Sequence, residues 1–232
     1  MKLLTVMVSQ YNSGRWIRNR LDNLFKSTII NDIEIWCLNA NSPDSLDHDV
    51  PKEYNVKYLK TPDRISVYEA WNEIIKNSNS LYITNANTDD IVAPNCYETL
   101  ISALGNNEGF AYPSWSTTAL ENQQWPPREV DPSGRPGYYC GHIDKSSPGH
   151  FPLWSRSLHD KVGLFDSSYR ALSDADFWAR SYYLANAKFI WVDLFLGCYL
   201  WRNGQNLWNM SITPEEWGKY HESAQLYKAK AH

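Results

Sequence analysis

Apolar and polar positions along the first half of the chain alternate between two rhythms. LLTVMVS (3–9) is a continuous, β-branched apolar run, which predicts a buried strand. After it, Trp16, Ile17, Leu21, Leu24 and Phe25 fall near helical spacing. IEIWCLN (33–39) predicts a second buried strand, NVKYLK (55–60) a shorter third, and SLYITNA (80–86) a fourth. Between the last two, ISVYEAWNEIIKN (65–77) places Val67, Ala70, Trp71, Ile74 and Ile75 on one helical face. APNCYETLISALGNN (93–107) has Pro94 near a helix start and Gly105 near its end, the expected punctuation.

Strands alternating with helices imply a mostly parallel sheet covered on both faces. Ligands bind such sheets beyond the carboxyl ends of the strands. Those ends read Ser9-Gln10-Tyr11-Asn12, Asn39-Ala40-Asn41-Ser42 and Asn87-Thr88-Asp89-Asp90, all polar. The rhythm then breaks. Residues 112–150 are rich in Pro, Gly, Ser, Trp and Tyr without helical periodicity, and read as a long loop of the functional or mobile kind. Regular structure resumes with a strand in GHFPLWSRS, a short helix and turn in SLHDKVGLFD, and a helix over 172–186. KFIWVD and LFLGCYLWR read as strands. The tail is an amphipathic helix with Thr213 as N-cap and Glu216 at the capping-box position.

Composition narrows the function classes. The chain of 232 residues, 43% of them hydrophobic, suits a globular domain, and no internal repeat or linker divides it. A net charge of -4 argues against a nucleic-acid binder. The cluster Arg15/Arg18/Arg20 reads as a solvated helix face. Cys37, Cys96, Cys140 and Cys198 form no C-x-x-C pair, so neither a zinc site nor a redox dithiol is expected. The apolar start is too short for a signal-peptide core or a membrane helix, and the expectation is a cytoplasmic protein. Eleven Trp and fifteen Tyr are an excess that serves either sugar and base stacking or core packing.

Two acidic elements carry candidate chemistry. Asp89-Asp90 ends a buried strand on the ligand side, where carboxylates suit Mg²⁺ or Mn²⁺; the same pair also suits the dipole of the helix that follows. In SDADFWAR, Asp174 lies in the first turn of a helix, with Phe177 and Trp178 packing beneath it. It is either a pocket-facing general base or a dipole partner. Asp176, two residues on, points about 200° away around the helix and forms no carboxylate pair with it.

These pieces, in this order, resemble the family 2 glycosyltransferases with a GT-A fold along nearly the whole chain. VMVSQYNSGRWIRNRLDNLFKS is similar to the family's first strand, Tyr-Asn and helix, and EIWCLNANSPD to the strand ending in Asp-Asp-Gly-Ser. RISVYEAWNEIIKNSNSLYITNANTDDIVAP is similar to its Ala-x-Asn helix, strand and Asp-x-Asp-Asp. GHFPLWSRSLHDKVGLFD resembles the segment ending Val-Gly-x-Phe-Asp, and SDADFWAR resembles Glu-Asp-x-Asp-aromatic-Trp-x-Arg.

The resemblance implies an α/β, Rossmann-like, mostly parallel sheet flanked by helices, with a smaller acceptor-side sheet and loop region. It implies one domain over 1–232: a nucleotide-sugar half (1–110), an acceptor and catalytic-base half (111–212) and a C-terminal helix (213–232). The implied reaction moves a sugar from a UDP- or GDP-sugar to a hydroxyl of a glycan or other acceptor, with inversion. Mn²⁺ or Mg²⁺ would sit on Asp89, with Asp90 as second ligand, and Asp174 would be the base. The nucleotide pocket falls on Ser9, Tyr11, Asn39 and Arg64, joined by Asn87 and Thr88. Asn72, at the Asn of Ala-x-Asn, suits a loop-capping role. Trp115, Trp125, Tyr138 and Tyr139 are the candidate sugar platforms of the acceptor side.

The chain departs from the pattern at Asn39, Ala40, Asn87 and Ser173, where the family carries acids. Tyr199-Leu-Trp-Arg202 lacks the His of the family's Tyr-Arg-x-His, so His142 or His150 are the candidates for a third metal ligand. These departures leave an alternative open, a degenerate relative that binds nucleotide or glycan without turnover. A nucleotidyltransferase is disfavoured because SQYNSGR holds a single glycine after the first strand.

Overall fold

The computed structural model describes residues 2–128, 148–201 and 212–231. Its core begins with β1 (Leu4–Gln10), every residue of which but Ser9 is buried. Because side chains alternate across a strand, Leu4, Val6 and Val8 pack on one face with Ile17 and Leu21 of α1 (Gly14–Leu24) and Leu100 of α4 (Cys96–Leu104). Met7 packs on the other, with Ala70 and Ile74 of α3 (Val67–Asn77) and Phe177 of α6 (Ser173–Ala185). A strand covered by helices on both faces must be apolar throughout, which is why its sequence reads as an unbroken run.

Eight strands form one sheet in the order β3-β2-β1-β4-β7-β6-β8-β5. β2 (Ile33–Asn39), β3 (Lys57–Lys60) and β4 (Tyr82–Asn85) join β1 in the expected parallel block. Beyond it the sheet is mixed. β7 (Leu153–Ser155) runs antiparallel to both β4 and β6 (Gly109–Thr118), and the short β5 (Ile91–Val92) runs antiparallel to β8 (Lys188–Leu200). Two sequence expectations are corrected here. Residues 112–118, read as loop, extend β6, and the two strand-like segments near the end form the single strand β8, paired with β6 through a bulge at Ser114.

Two short helices, α2 (Leu46–Asp49) and α5 (Ser157–Val162), and the last helix, α7 (Pro214–Lys230), complete the described chain. The amino end of α1 is closed from within. Its Ser13 N–H and hydroxyl donate to the buried Asp47 carboxylate at 3.0 and 2.5 Å, and Gly14 N–H donates to Asp44 at 3.2 Å. A Cβ at Gly14 would overlap the Asp44 carboxylate, so that approach requires glycine.

Arg20 departs from the solvated face expected for it. It is 1% exposed, and its guanidinium donates to Asn23 Oδ1 at 2.9 Å. Asn23 in turn bridges the backbone of Val92, donating to its carbonyl at 2.8 Å and accepting from its N–H at 2.9 Å. The arginine was drawn inward because α1 lies against β5 on this side. Among the described residues no helix is long and apolar enough to cross a membrane.

Candidate active site

A cavity of about 360 Å³ opens beyond the carboxyl ends of β1, β2 and β4. Ser9, Gln10, Tyr11 and Ala40 line it from the strand ends, and Asn87, Thr88 and Asp89 from the turn after β4. Asp174 and Ala171 close the opposite wall at the start of α6.

Asp174 stands in the first turn of that helix because the preceding turn is locked. Asn72 of α3 donates to Phe165 O at 2.8 Å and accepts from Phe165 N–H at 3.0 Å, which is the loop-capping role its sequence position suggested. Asp174 Oδ1 accepts from Ala175 N–H at 2.8 Å and from the Tyr68 hydroxyl at 3.3 Å. Burial pushes the Asp174 carboxyl up to about 6, against the opposing pull of those hydrogen bonds. Asp176 diverges from it, as the helical angle requires. It is 2% exposed and paired to Arg180 at 2.7 Å, with the Tyr227 hydroxyl at 2.9 Å.

The two aspartates of the β4 turn part company. Asp89 lines the cavity. Asp90, expected as a second metal ligand or as a helix partner, faces inward instead. Its Oδ1 accepts from Leu200 N–H at 3.0 Å and its Oδ2 from the Asn87 amide at 2.9 Å, so it fastens the turn to β8. Burial, with the Asp89 charge beside it, pushes its carboxyl well above the usual carboxylate range.

The nucleotide candidates divide in the same way. Ser9, Tyr11, Asn87 and Thr88 line the cavity, while Asn39 and Arg64 do not. Asn39 is fully buried, and its Oδ1 accepts from Ser42 N–H at 2.7 Å, an internal loop cap. Arg64 lies over the Tyr11 ring at 4.1 Å and reaches the cavity only through that ring. Trp115 and Trp125 are half-buried against the core and do not line the cavity; Trp115 instead meets the edge of His150 at 5.5 Å. Tyr138, Tyr139 and His142 lie outside the described residues.

Of the two candidates for a third metal ligand, His150 lines the cavity, and Tyr199, Trp16 and Arg170 line it without having been expected there. His150 and Tyr199 stack with ring centroids 3.7 Å apart and interplanar angle 10°, forming a flat aromatic wall. Burial pushes the His150 imidazole down to about 4, so it is neutral. Trp16, assigned to the core by its helical spacing, also reaches the cavity. Arg170 is the single Arg or Lys lining the cavity among the described residues. Its position in SSYRALSD, four residues before Asp174, was the available signal.

The profile described as Glycosyl transferase family 2 matches residues 5–180. The chain belongs to that family. Its fold is that of the GT-A glycosyltransferases. The structure of S. aureus TarS 1–349 in complex with UDP-GlcNAc superposes with TM-score 0.79 at 15% identity, covering 100% of this chain and 69% of that one. The same protein in complex with UDP superposes with TM-score 0.73 at 16% identity, over 100% and 68%. The mannosyltransferase PcManGT from Pyrobaculum calidifontis, in complex with GDP-Man and Mn²⁺, superposes with TM-score 0.66 at 13% identity, over 98% and 73%. Among curated proteins no sequence matches the chain.

A divalent ion is implied by such relatives, and the donor set allows a limited fit. Among the described residues no three His, Cys, Asp or Glu side chains converge as a metal cage. Mg²⁺ or Mn²⁺ needs only one or two protein carboxylates when substrate phosphates and water complete its shell. Asp89 meets that minimum alone, since both oxygens of Asp90 are engaged.

Proposed function

We propose that this protein transfers a sugar from a UDP- or GDP-sugar to an acceptor hydroxyl, with inversion at the anomeric carbon. The observation that carries this reading is the setting of Asp174. Its Oδ1 is held by Ala175 and Tyr68, which leaves Oδ2 for a substrate hydroxyl. A carboxyl raised to about 6 is ionised at neutral pH yet more basic than an exposed aspartate, as a general base requires. Asp174 Oδ2 takes the hydroxyl proton, the acceptor oxygen bonds to the anomeric carbon, and the bond from that carbon to the diphosphate oxygen breaks on the opposite face.

Asp89 would hold the Mn²⁺ or Mg²⁺, which when bound supplies positive charge beside the departing diphosphate. Arg170 brings a second, permanent positive charge to the same cavity. Tyr11, Ser9, Asn87 and Thr88 would receive the nucleotide, and the His150–Tyr199 wall offers an apolar face for a sugar ring. On this reading residues 1–110 carry the donor side and 111–212 the acceptor side and the base. The complexes of the similar structures with UDP, UDP-GlcNAc and GDP-Man support the choice of donor class.

The test is turnover of a UDP- and GDP-sugar panel with Mn²⁺ against hydroxyl acceptors, for the protein and for Asp174→Asn. Wild-type transfer that survives Asp174→Asn overturns the assignment of the base. One observation favours a second reading, binding without turnover: Asp90 is withdrawn from the cavity. Nucleotide binding by calorimetry with neither transfer nor donor hydrolysis across the panel would establish that reading instead.

A further inference from the structure

Helix α6 begins with an unusual debt of hydrogen-bond acceptors. Leu172 stands at its N-cap, where Ser, Thr, Asp or Asn would ordinarily satisfy the first amides, and Leu has nothing to offer. The Ser173 hydroxyl, buried at the same end, has no partner among the described residues. The turn that leads into this helix is held from far along the chain. Glu216 Oε1 accepts from Ala171 N–H at 2.7 Å and from Leu172 N–H at 2.9 Å.

Glu216 is itself held in place. Its own N–H donates to Thr213 Oγ1 at 3.2 Å, the N-cap of α7. Further along, Tyr227 of α7 bonds Asp176, and Lys219 pairs with Asp166 at 3.3 Å, on either side of the same turn. The turn so anchored contains Arg170 and Ala171 and leads directly into Asp174, all three of which line the cavity. We infer that Glu216 is a positioning residue, which fixes the 170–172 turn from the C-terminal helix and thereby sets Asp174 and Arg170 in the site.

This inference rests on the reading of Asp174 as the base and extends it beyond the matched family segment, which ends at residue 180. It assigns the last helix a part in the reaction without placing any of its atoms in contact with substrate. Besides the hydrogen bonds, Glu216 carries the negative charge that α7 turns toward Asp174, while α3 presents the Tyr68 hydroxyl.

The experiment compares Glu216→Ala, Glu216→Gln and, as a control on the exposed face of α7, Glu222→Ala. Turnover with the donor panel and Mn²⁺ is measured together with amide hydrogen exchange at Ala171 and Leu172. Glu216→Ala is expected to lower kcat at least about tenfold, with KM for the donor little changed, because a base displaced by a fraction of an ångström loses reactivity. Both amides should exchange faster in that variant. Glu216→Gln keeps an acceptor oxygen, so it should restore slow exchange and most of kcat, while its acid limb moves to lower pH because the charge is gone.

Wild-type kcat and wild-type exchange in Glu216→Ala would overturn the inference. If Asp174→Asn retains turnover, the base reading fails, and the exchange measurement still decides whether Glu216 holds the turn. If Glu216→Ala does not fold, Glu216→Asp takes its place. One methylene shorter, it should lose turnover and protection at both amides, and unchanged values would overturn the inference.

Discussion

The Tyr68 hydroxyl donates to Asp174 Oδ1 at 3.3 Å across the junction of α3 and α6. This bond stabilises the ionised carboxylate and opposes the burial that raises its pKa. Tyr68→Phe should therefore move the acid limb of the pH–rate profile upward. It should also lower kcat by about tenfold to a hundredfold, the cost of one hydrogen bond to a charged group. Initial rates between about pH 5 and 8 check both effects.

Asp174 itself links activity to stability. Because its folded-state pKa lies near 6, above the ordinary value of 3.8, protonation favours the fold, and that contribution is lost as pH rises through 6. Wild-type activity should thus appear as pH passes about 6, as stability from this group declines. Asp174→Asn should abolish transfer yet raise Tm at neutral pH by about 2–4 °C per kcal/mol gained. The gain should vanish below the ordinary aspartate pKa, where both carboxyl forms are neutral. Thermal melts of both proteins at the two pH values decide the matter.

The adjacent acids of the β4 turn should separate cleanly on mutation. Asp89→Ala is expected to remove Mn²⁺-dependent nucleotide binding in calorimetry while leaving Tm near wild type. Asp90→Ala leaves the buried Leu200 N–H without its acceptor and should cost about 1–3 kcal/mol of stability, read as a lower Tm. The reverse pattern would mean that the inward aspartate, not the outward one, serves the ligand.

His159 should govern acid stability. It lies stacked on Phe177 at 4.4 Å between centroids, and its Nε2 accepts from the Trp154 indole N–H at 3.0 Å, which demands the neutral ring. Burial pushes its pKa down to about 4. A depressed histidine contributes stability that is present above its unfolded value of 6.5 and lost as pH falls toward 4. Loss of about 2–3 kcal/mol over that interval is expected, and His159→Phe should flatten it in denaturant titrations.

Local periodicity made the scaffold legible. β1, β2, α3 and α6 announce themselves because each buries a face whose spacing the sequence must repeat. β8 did not, because the exposed segment around Asp193 interrupts its apolar run and splits one strand into two apparent ones. Residues 112–118 looked like loop because Pro and polar residues dominate there, yet pairing with β8 supplies their order. Within the site, Asp174 and Asp89 follow from their places at a helix start and a strand end. Asp90 does not, since its partner Leu200 lies 110 positions away. Glu216 shows the same limit. Its spacing from Thr213 marks a capping box, and Thr213 does cap α7, but the glutamate reaches across to another helix. Spacing reports what neighbours offer one another, and a carboxylate is free to serve a more distant need.

The closure of α1 by Asp44 and Asp47 bears on where an anion could sit. The amino end of a helix that follows the first strand of an open α/β sheet is ordinarily the seat of a phosphate. Here the chain has furnished its own anions for that seat, and it did so with a glycine that lets them approach. The neighbouring cavity is lined instead by the amino ends of α3 and α6, at Ser66 and Asp174. On the proposed function, a diphosphate there would meet Arg170 and these two ends rather than the start of α1.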